Sequence, residues 1–287
     1  MSITRVDTVT CRLGEGPVWD ARDQALWFVD IFGQQVHRHS PGYGTTRSWE
    51  MPANVGAVAP CRDRGAVVAL ADGIHALDLE SGATTPVALI EDLPPGVVLN
   101  DGKVDRRGRF VVGTIDTKIA APLGQFLSFQ AGKLRVIADG FTVGNGPCWS
   151  PDDRVLYLAD SFAHRIYAYD YDIGTGDVGD RRIFAETQAL GGIPDGATVD
   201  EEGMVWVAIC EGAKVVAFAP DGEVQRVIDM PVSHPSSVTF GGPGLDLLYV
   251  TSIDPAALDK ASESGGGLTY VIEDVGARGL EETRYVL

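Results

Sequence analysis

One short phrase recurs six times along this 287-residue chain: a turn rich in Asp, Gly and Arg, then a run of large apolar residues. The copies centre on Trp27, Val68, Val111, Tyr157, Trp206 and Tyr249, between 41 and 49 residues apart. A second short strand follows each copy, at 36–39, 73–79, 125–130, 165–171, 214–219 and 267–272. A period of about 40–50 residues, carrying several short strands and no helical stripe, is the pattern of a β-propeller. Six copies predict six blades. The expected fold is all-β: four-stranded antiparallel blades around a central channel, in a single domain spanning residues 1–287.

The turn residues agree, since 35 glycines and 16 prolines supply the punctuation that a meander of short strands needs. No stretch approaches the roughly 18 apolar residues that a membrane span requires, so no membrane association is expected. The start, Met1-Ser-Ile-Thr-Arg5, has no apolar signal core. Cys11, Cys61, Cys148 and Cys210 form no Cys-x-x-Cys pair and read as free thiols, which points to a cytoplasmic protein. Cys148 reads as a small packing residue. A net charge of −17 argues against nucleic acid as a partner, leaving a small molecule as the expected one. These features carry no information on oligomeric state. Residues 177–180 and 201–202 read as exposed acidic turns.

The repeat also places the polar residues. Counting back 11 or 12 positions from each centre gives Glu15, Asn100, Asn145, Asp195 and Ser237, with Asn54-Val-Gly56 in the second blade. Residues that share one phase of a propeller repeat converge at one mouth of its channel. Glycines beside them, as in Gly14-Glu15-Gly16 and Asn145-Gly146, allow close backbone approach. Two carboxylates and two amides gathered there would be poorly solvated without a compensating charge. Such oxygen donors suit one divalent cation, with water completing its coordination. No His or Cys falls in the set, which excludes the usual structural zinc site. His37 and His39 are expected to face solvent on an outer strand, whereas His234, before the sixth inner strand, is a candidate to line the pocket.

The motifs Leu13-Gly-Glu-Gly-Pro-Val-Trp19, Asn100-Asp-Gly-Lys-Val-Asp105, Gly144-Asn-Gly-Pro-Cys-Trp-Ser150, Pro194-Asp-Gly196 and Phe240-Gly-Gly-Pro243 carry a family resemblance. The chain resembles the SMP-30/gluconolactonase/luciferin-regenerating-enzyme family, the regucalcin-like six-bladed propellers, over essentially its whole length. The resemblance implies a single divalent metal, Ca2+, Zn2+, Mn2+ or Mg2+, held by Glu15, Asn145 and Asp195. It also implies a polar contact to substrate or metal-bound water from Asn100, with Asp101 beside it. Many members hydrolyse sugar lactones. Sugar-lactone members often carry an Arg where this chain has Val98, which removes a bidentate donor and opens the site to less polar rings. Asp116 stands near the position of an acidic sugar contact in some members.

Metal-dependent lactone hydrolysis is the activity expected, with Asp195 as general base and Asn100 orienting carbonyl or water. The same site would also suit phosphotriester hydrolysis, decarboxylation, cyclisation or dehydration, and a propeller that only binds a cation or ligand is a further reading. Residues 114–122 and 252–266 are expected to form loops over the mouth, the second with a short helix. Either residues 4–11 or residues 282–287 are expected to complete the last blade.

Overall fold

The computed structural model describes residues 1–6 and 9–286. Among the described residues, six sheets of four antiparallel strands form the ring. The innermost strands, in blade order, are Gly14–Asp20, Val55–Pro60, Val97–Val104, Gly144–Trp149, Ile193–Val199 and Pro235–Gly241. The six recurring apolar runs are the second strands, Ala25–Asp30, Ala66–Leu70, Phe110–Asp116, Val155–Asp160, Val205–Cys210 and Leu247–Ser252. Three of these are buried along their whole length and the other three at all but one position. They read as apolar runs because neighbouring blades cover both faces of each strand.

The core therefore lies between blades. Trp27, Val29, Val36 and Trp49 of the first blade pack against Val58, Val68 and Leu70 of the second. Trp49 is buried there, stacked on Trp27 with ring centroids 5.6 Å apart. Burial between blades also overturns the expectation for two histidines. His37 and His39 lie on the third strand Gln35–Ser40 and are buried. Their Nδ1 atoms pair with Ser48 Oγ at 2.7 Å and Thr46 Oγ1 at 2.9 Å. Residues 177–180 belong to the strand Asp177–Glu186 rather than to a turn.

The ring closes through the N-terminus. Ser2–Arg5 pairs antiparallel with Tyr270–Glu273 as the outermost strand of the sixth blade, which removes one exposed sheet edge. Of the stretches expected to do this, 4–11 contributes only its first two residues, and Asp7 and Thr8 lie outside the described residues, as does Leu287 of the C-terminal stretch. The rest of that C-terminal stretch, together with Gly279 just before it, has a different place. Gly279 bridges Asp200, Glu282 pairs with Lys103, Arg284 pairs with Asp20, and Tyr285 bridges Cys61. All four partners lie at or near the C-terminal ends of inner strands, so the tail crosses the ring and floors the channel.

Among the described residues, no helix is long and apolar enough to cross a membrane.

Candidate metal and substrate site

Every inner strand slips register against its neighbour at the same height. The shifts fall between Glu15 and Val18, Val55 and Ala57, Leu99 and Gly102, Asn145 and Cys148, Pro194 and Ala197, and Pro235 and Ser237. A β-bulge adds one residue and re-aims the side chains beside it. Counting from the paired residues beyond the bulge makes Glu15, Val55, Asn100, Asn145, Asp195 and Ser236 equivalent. The sixth-blade member is thus Ser236 and not Ser237, because the bulge absorbs the extra residue. One hydrogen bond supports the register. Ser236 Oγ donates to Gly14 O of the next blade at 2.5 Å, as Asn100 Nδ2 donates to Gly144 O of its next blade at 3.2 Å.

The structure brings Glu15, Asn100, Asn145 and Asp195 together. Glu15, Asn145 and Asp195 are buried and Asn100 is half-buried. Glu15 and Asp195, from the first and fifth blades, stand close enough for each carboxyl group to perturb the titration of the other. Burial pushes both well above the usual carboxylate range; the charge of Asp195 then adds to the rise for Glu15, and that of Asp101 to the rise for both. Two such groups in contact retain a proton unless a cation takes its place.

The amide of Asn145 is fixed at both ends. Its Nδ2 donates to Ser161 Oγ at 2.9 Å, and its Oδ1 accepts from Asn100 Nδ2 at 2.8 Å. An amide oxygen keeps a second lone pair in that arrangement. Both N–H groups of Asn100 are engaged, on Asn145 and Gly144, so its free group is the acceptor Oδ1.

These donors fit a hard divalent ion: two carboxylates and one oriented amide oxygen, in a setting that penalises uncompensated negative charge. Among the described residues, no three His, Cys, Asp or Glu side chains gather as a metal-holding group. The set is instead two carboxylates with amides.

Asp101 occupies the bulge position that holds Gly in four other blades and Ser in the sixth. Its Oδ1 accepts from Gly102 N and its Oδ2 from Gly146 N, each at 2.8 Å, tying the third blade to the fourth beside Asn145. Val98 is half-buried and pairs in register with Ile115. Asp116 closes the same strand pair opposite Val97, but its carboxylate holds the following loop through Lys118 N and Ala120 N, both at 3.0 Å. Those backbone hydrogen bonds keep it below its ordinary titration range. Cys148 is buried with its thiol pushed up to about 12, which fits packing and not nucleophilic attack.

Two contributors were missed in the sequence. Ser161 carries no signal beyond lying just after the fourth apolar run. Lys103 sits within the Asn100–Asp105 motif, yet nothing local announces its partners: Nζ lies 2.9 Å from Glu282 and 3.1 Å from Ala197 O. Together with the tail it closes the channel beneath the carboxylates.

The comparisons with known proteins extend over the same elements. The family profile described as SMP-30/Gluconolactonase/LRE-like region matches residues 13–254. Regucalcin of Xenopus laevis is 33% identical over 299 aligned positions, covering 99% of each chain. The 6-deoxy-6-sulfogluconolactonase of Pseudomonas putida is 36% identical, covering 84% of this chain and 83% of its own. Among solved structures, a calcium-binding protein, regucalcin, from Agrobacterium tumefaciens superposes with a TM-score of 0.91 at 26% identity. That match covers 99% of this chain and 97% of the other.

Proposed function

Because this chain belongs to the SMP-30/gluconolactonase/LRE-like family, we propose that it is a hydrolase that opens lactone rings with the help of one divalent cation. The observation that carries this reading is the buried Glu15–Asp195 pair, with the oriented amides of Asn145 and Asn100, at one end of a floored channel. The lactone-acting relative from Pseudomonas putida supports the substrate class, and the calcium-binding relative supports the cation.

Glu15, Asn145 and Asp195 would hold the cation, which when bound supplies stabilisation for negative charge developing on the lactone carbonyl oxygen. The chain's own groups handle the water. Asn100 Oδ1, its free acceptor, takes one hydrogen bond from the attacking water and aims the oxygen lone pair at the carbonyl carbon. The Asp195 carboxylate takes the water proton as the new C–O bond forms. The ring C–O bond then breaks, and the departing ring oxygen receives that proton, giving a hydroxy acid. Glu15 stays ionised and fixes the position of Asp195. The floor formed by Lys103 and the tail keeps bulk water from entering beneath the site.

The deciding assay follows proton release on a panel of lactones, with protein chelated and then resupplied with Ca2+, Mn2+, Zn2+ or Mg2+. Turnover that needs the cation and falls by about 100-fold or more in Asp195→Asn is the expected result. Absence of turnover across sugar, aliphatic and aromatic rings in cation-loaded protein would sink the reading.

A further inference from the structure

Two residues before the polar ring lies a second ring at the same mouth. Leu13, Val98, Val143, Ile193 and His234 occupy equivalent positions, each set by its cross-strand partner: Ile31, Ile115, Ser161, Cys210 and Ile253. Ala53 is the second-blade member by the same count. Five members are apolar and one is a histidine. In a six-blade ring the third and sixth blades stand opposite, so His234 lies across the mouth from Val98.

We propose that His234 reads the substrate: its Nε2 accepts a hydrogen bond from a neutral hydroxyl carried by the lactone, on the side of the mouth opposite Val98. The proposal rests on the lactone reading above and adds to it a specificity-determining residue.

The tautomer is set by what stands behind the ring. Ser233 Oγ donates to Glu263 Oε1 at 2.7 Å, so it accepts from His234 Nδ1 at 2.5 Å. That contact places the proton on Nδ1 and leaves a lone pair on Nε2. Lys260 Nζ reaches that nitrogen at a long 3.4 Å. Lys260 is itself paired with Glu211 at 2.8 Å. Burial, then Lys260, holds the imidazole below its ordinary pKa, in keeping with a neutral acceptor.

Location and charge define what this acceptor reads. Glu211 follows the second strand of the blade that carries Asp195, and Lys260 follows the short 3-10 turn Pro255–Leu258 in the loop above the sixth blade. His234 Nε2 therefore sits at the rim between blades five and six. The His234 residue as a whole is 5% exposed, beside 5% for Glu15 and 6% for Asp195. With the imidazole neutral, Glu211 and Glu263 outnumber Lys260 by one charge. An anionic substituent is disfavoured in that setting, whereas a hydroxyl can donate to Nε2 and accept from Lys260.

The test compares wild type with His234→Leu, which makes the ring uniformly apolar, and His234→Gln, which restores an acceptor. Each is assayed on glucono-1,5-lactone and on unsubstituted δ-valerolactone. The expected result is a KM for the hydroxylated ring raised roughly tenfold in His234→Leu and partly restored in His234→Gln. The kcat should hold, as should both constants on the bare ring, which also reports intact folding. Equal losses on both rings, or no change on either, would overturn the assignment. If wild type turns over neither ring, the lactone reading fails, and calorimetry with the neutral polyol xylitol decides the contact by itself. Xylitol binding that His234→Leu weakens supports it; equal binding, or none to either protein, overturns it.

Discussion

Asn100 donates from Nδ2 to Oδ1 of Asn145 at 2.8 Å, across the seam between the third and fourth blades. With Ser161 Oγ accepting from the other end of the same amide, Asn145 cannot turn over without losing both bonds. Groups that orient a ligating side chain commonly contribute about 10- to 100-fold in cation affinity. Ser161→Ala should therefore weaken Ca2+ binding by roughly tenfold, read by calorimetry on chelated protein. Unchanged affinity would show that Asn145 needs no such support.

The Glu15–Asp195 contact predicts a pH effect on stability in cation-free protein. Both groups titrate above their unfolded values, so the folded state holds more protons than the unfolded chain between the two ranges. Stability from this pair is present below the unfolded values, near 4, and is lost as pH rises through the raised folded values. Glu15→Gln should flatten that loss, so the melting-temperature difference, variant minus wild type, grows as pH rises. Adding Ca2+ should stabilise wild type more than the variant at neutral pH. A constant difference across pH would show that the pair does not share a proton.

Lys103 and Glu282 form an almost fully enclosed ion pair, with side chains 10% and 14% exposed. Removing one partner of such a pair strands the other charge, at a cost of about 3 kcal/mol. Glu282→Leu should lower unfolding stability by about that amount in urea titrations. Adding Lys103→Met should recover much of the loss. A double variant no better than Glu282→Leu would show that the tail, and not the charge balance, carries the effect.

Gly146 adopts φ +58°, and a Cβ there would lie 2.7 Å from Asp195 O on the next blade. Gly146→Ala therefore meets both backbone strain and a clash with the chain that carries Asp195. A loss of about 1–3 kcal/mol in unfolding stability is expected. Cation affinity should fall with it, since Asn145 and Asp195 flank the clash. Full Ca2+ affinity in a folded Gly146→Ala protein would place the cation elsewhere.

Much of this molecule was written locally. The apolar runs centred on Trp27, Val68, Val111, Tyr157, Trp206 and Tyr249 specify one strand per blade, because each run is short and bounded by turn residues. Their spacing then sets Glu15, Asn100, Asn145 and Asp195 at one height, since repeats of one unit in a closed ring present equivalent positions together. The sequence by itself therefore determined the blade count and the polar set at the mouth.

Other features depend on which distant segments meet. The bulge in each inner strand makes Ser236, not Ser237, the sixth member, a one-residue slip that no count along the chain detects. His37 and His39 looked suited to solvent, but the neighbouring blade covers their strand. Ring closure by Ser2–Arg5, the floor built by Glu282 on Lys103, and the Ser233–Glu263 support behind His234 each join residues far apart in sequence. Only the tertiary structure decided these, because they arise when the ring closes and brings strand ends, loops and tail into contact. Local periodicity encodes a blade, while pairings between blades follow from closure.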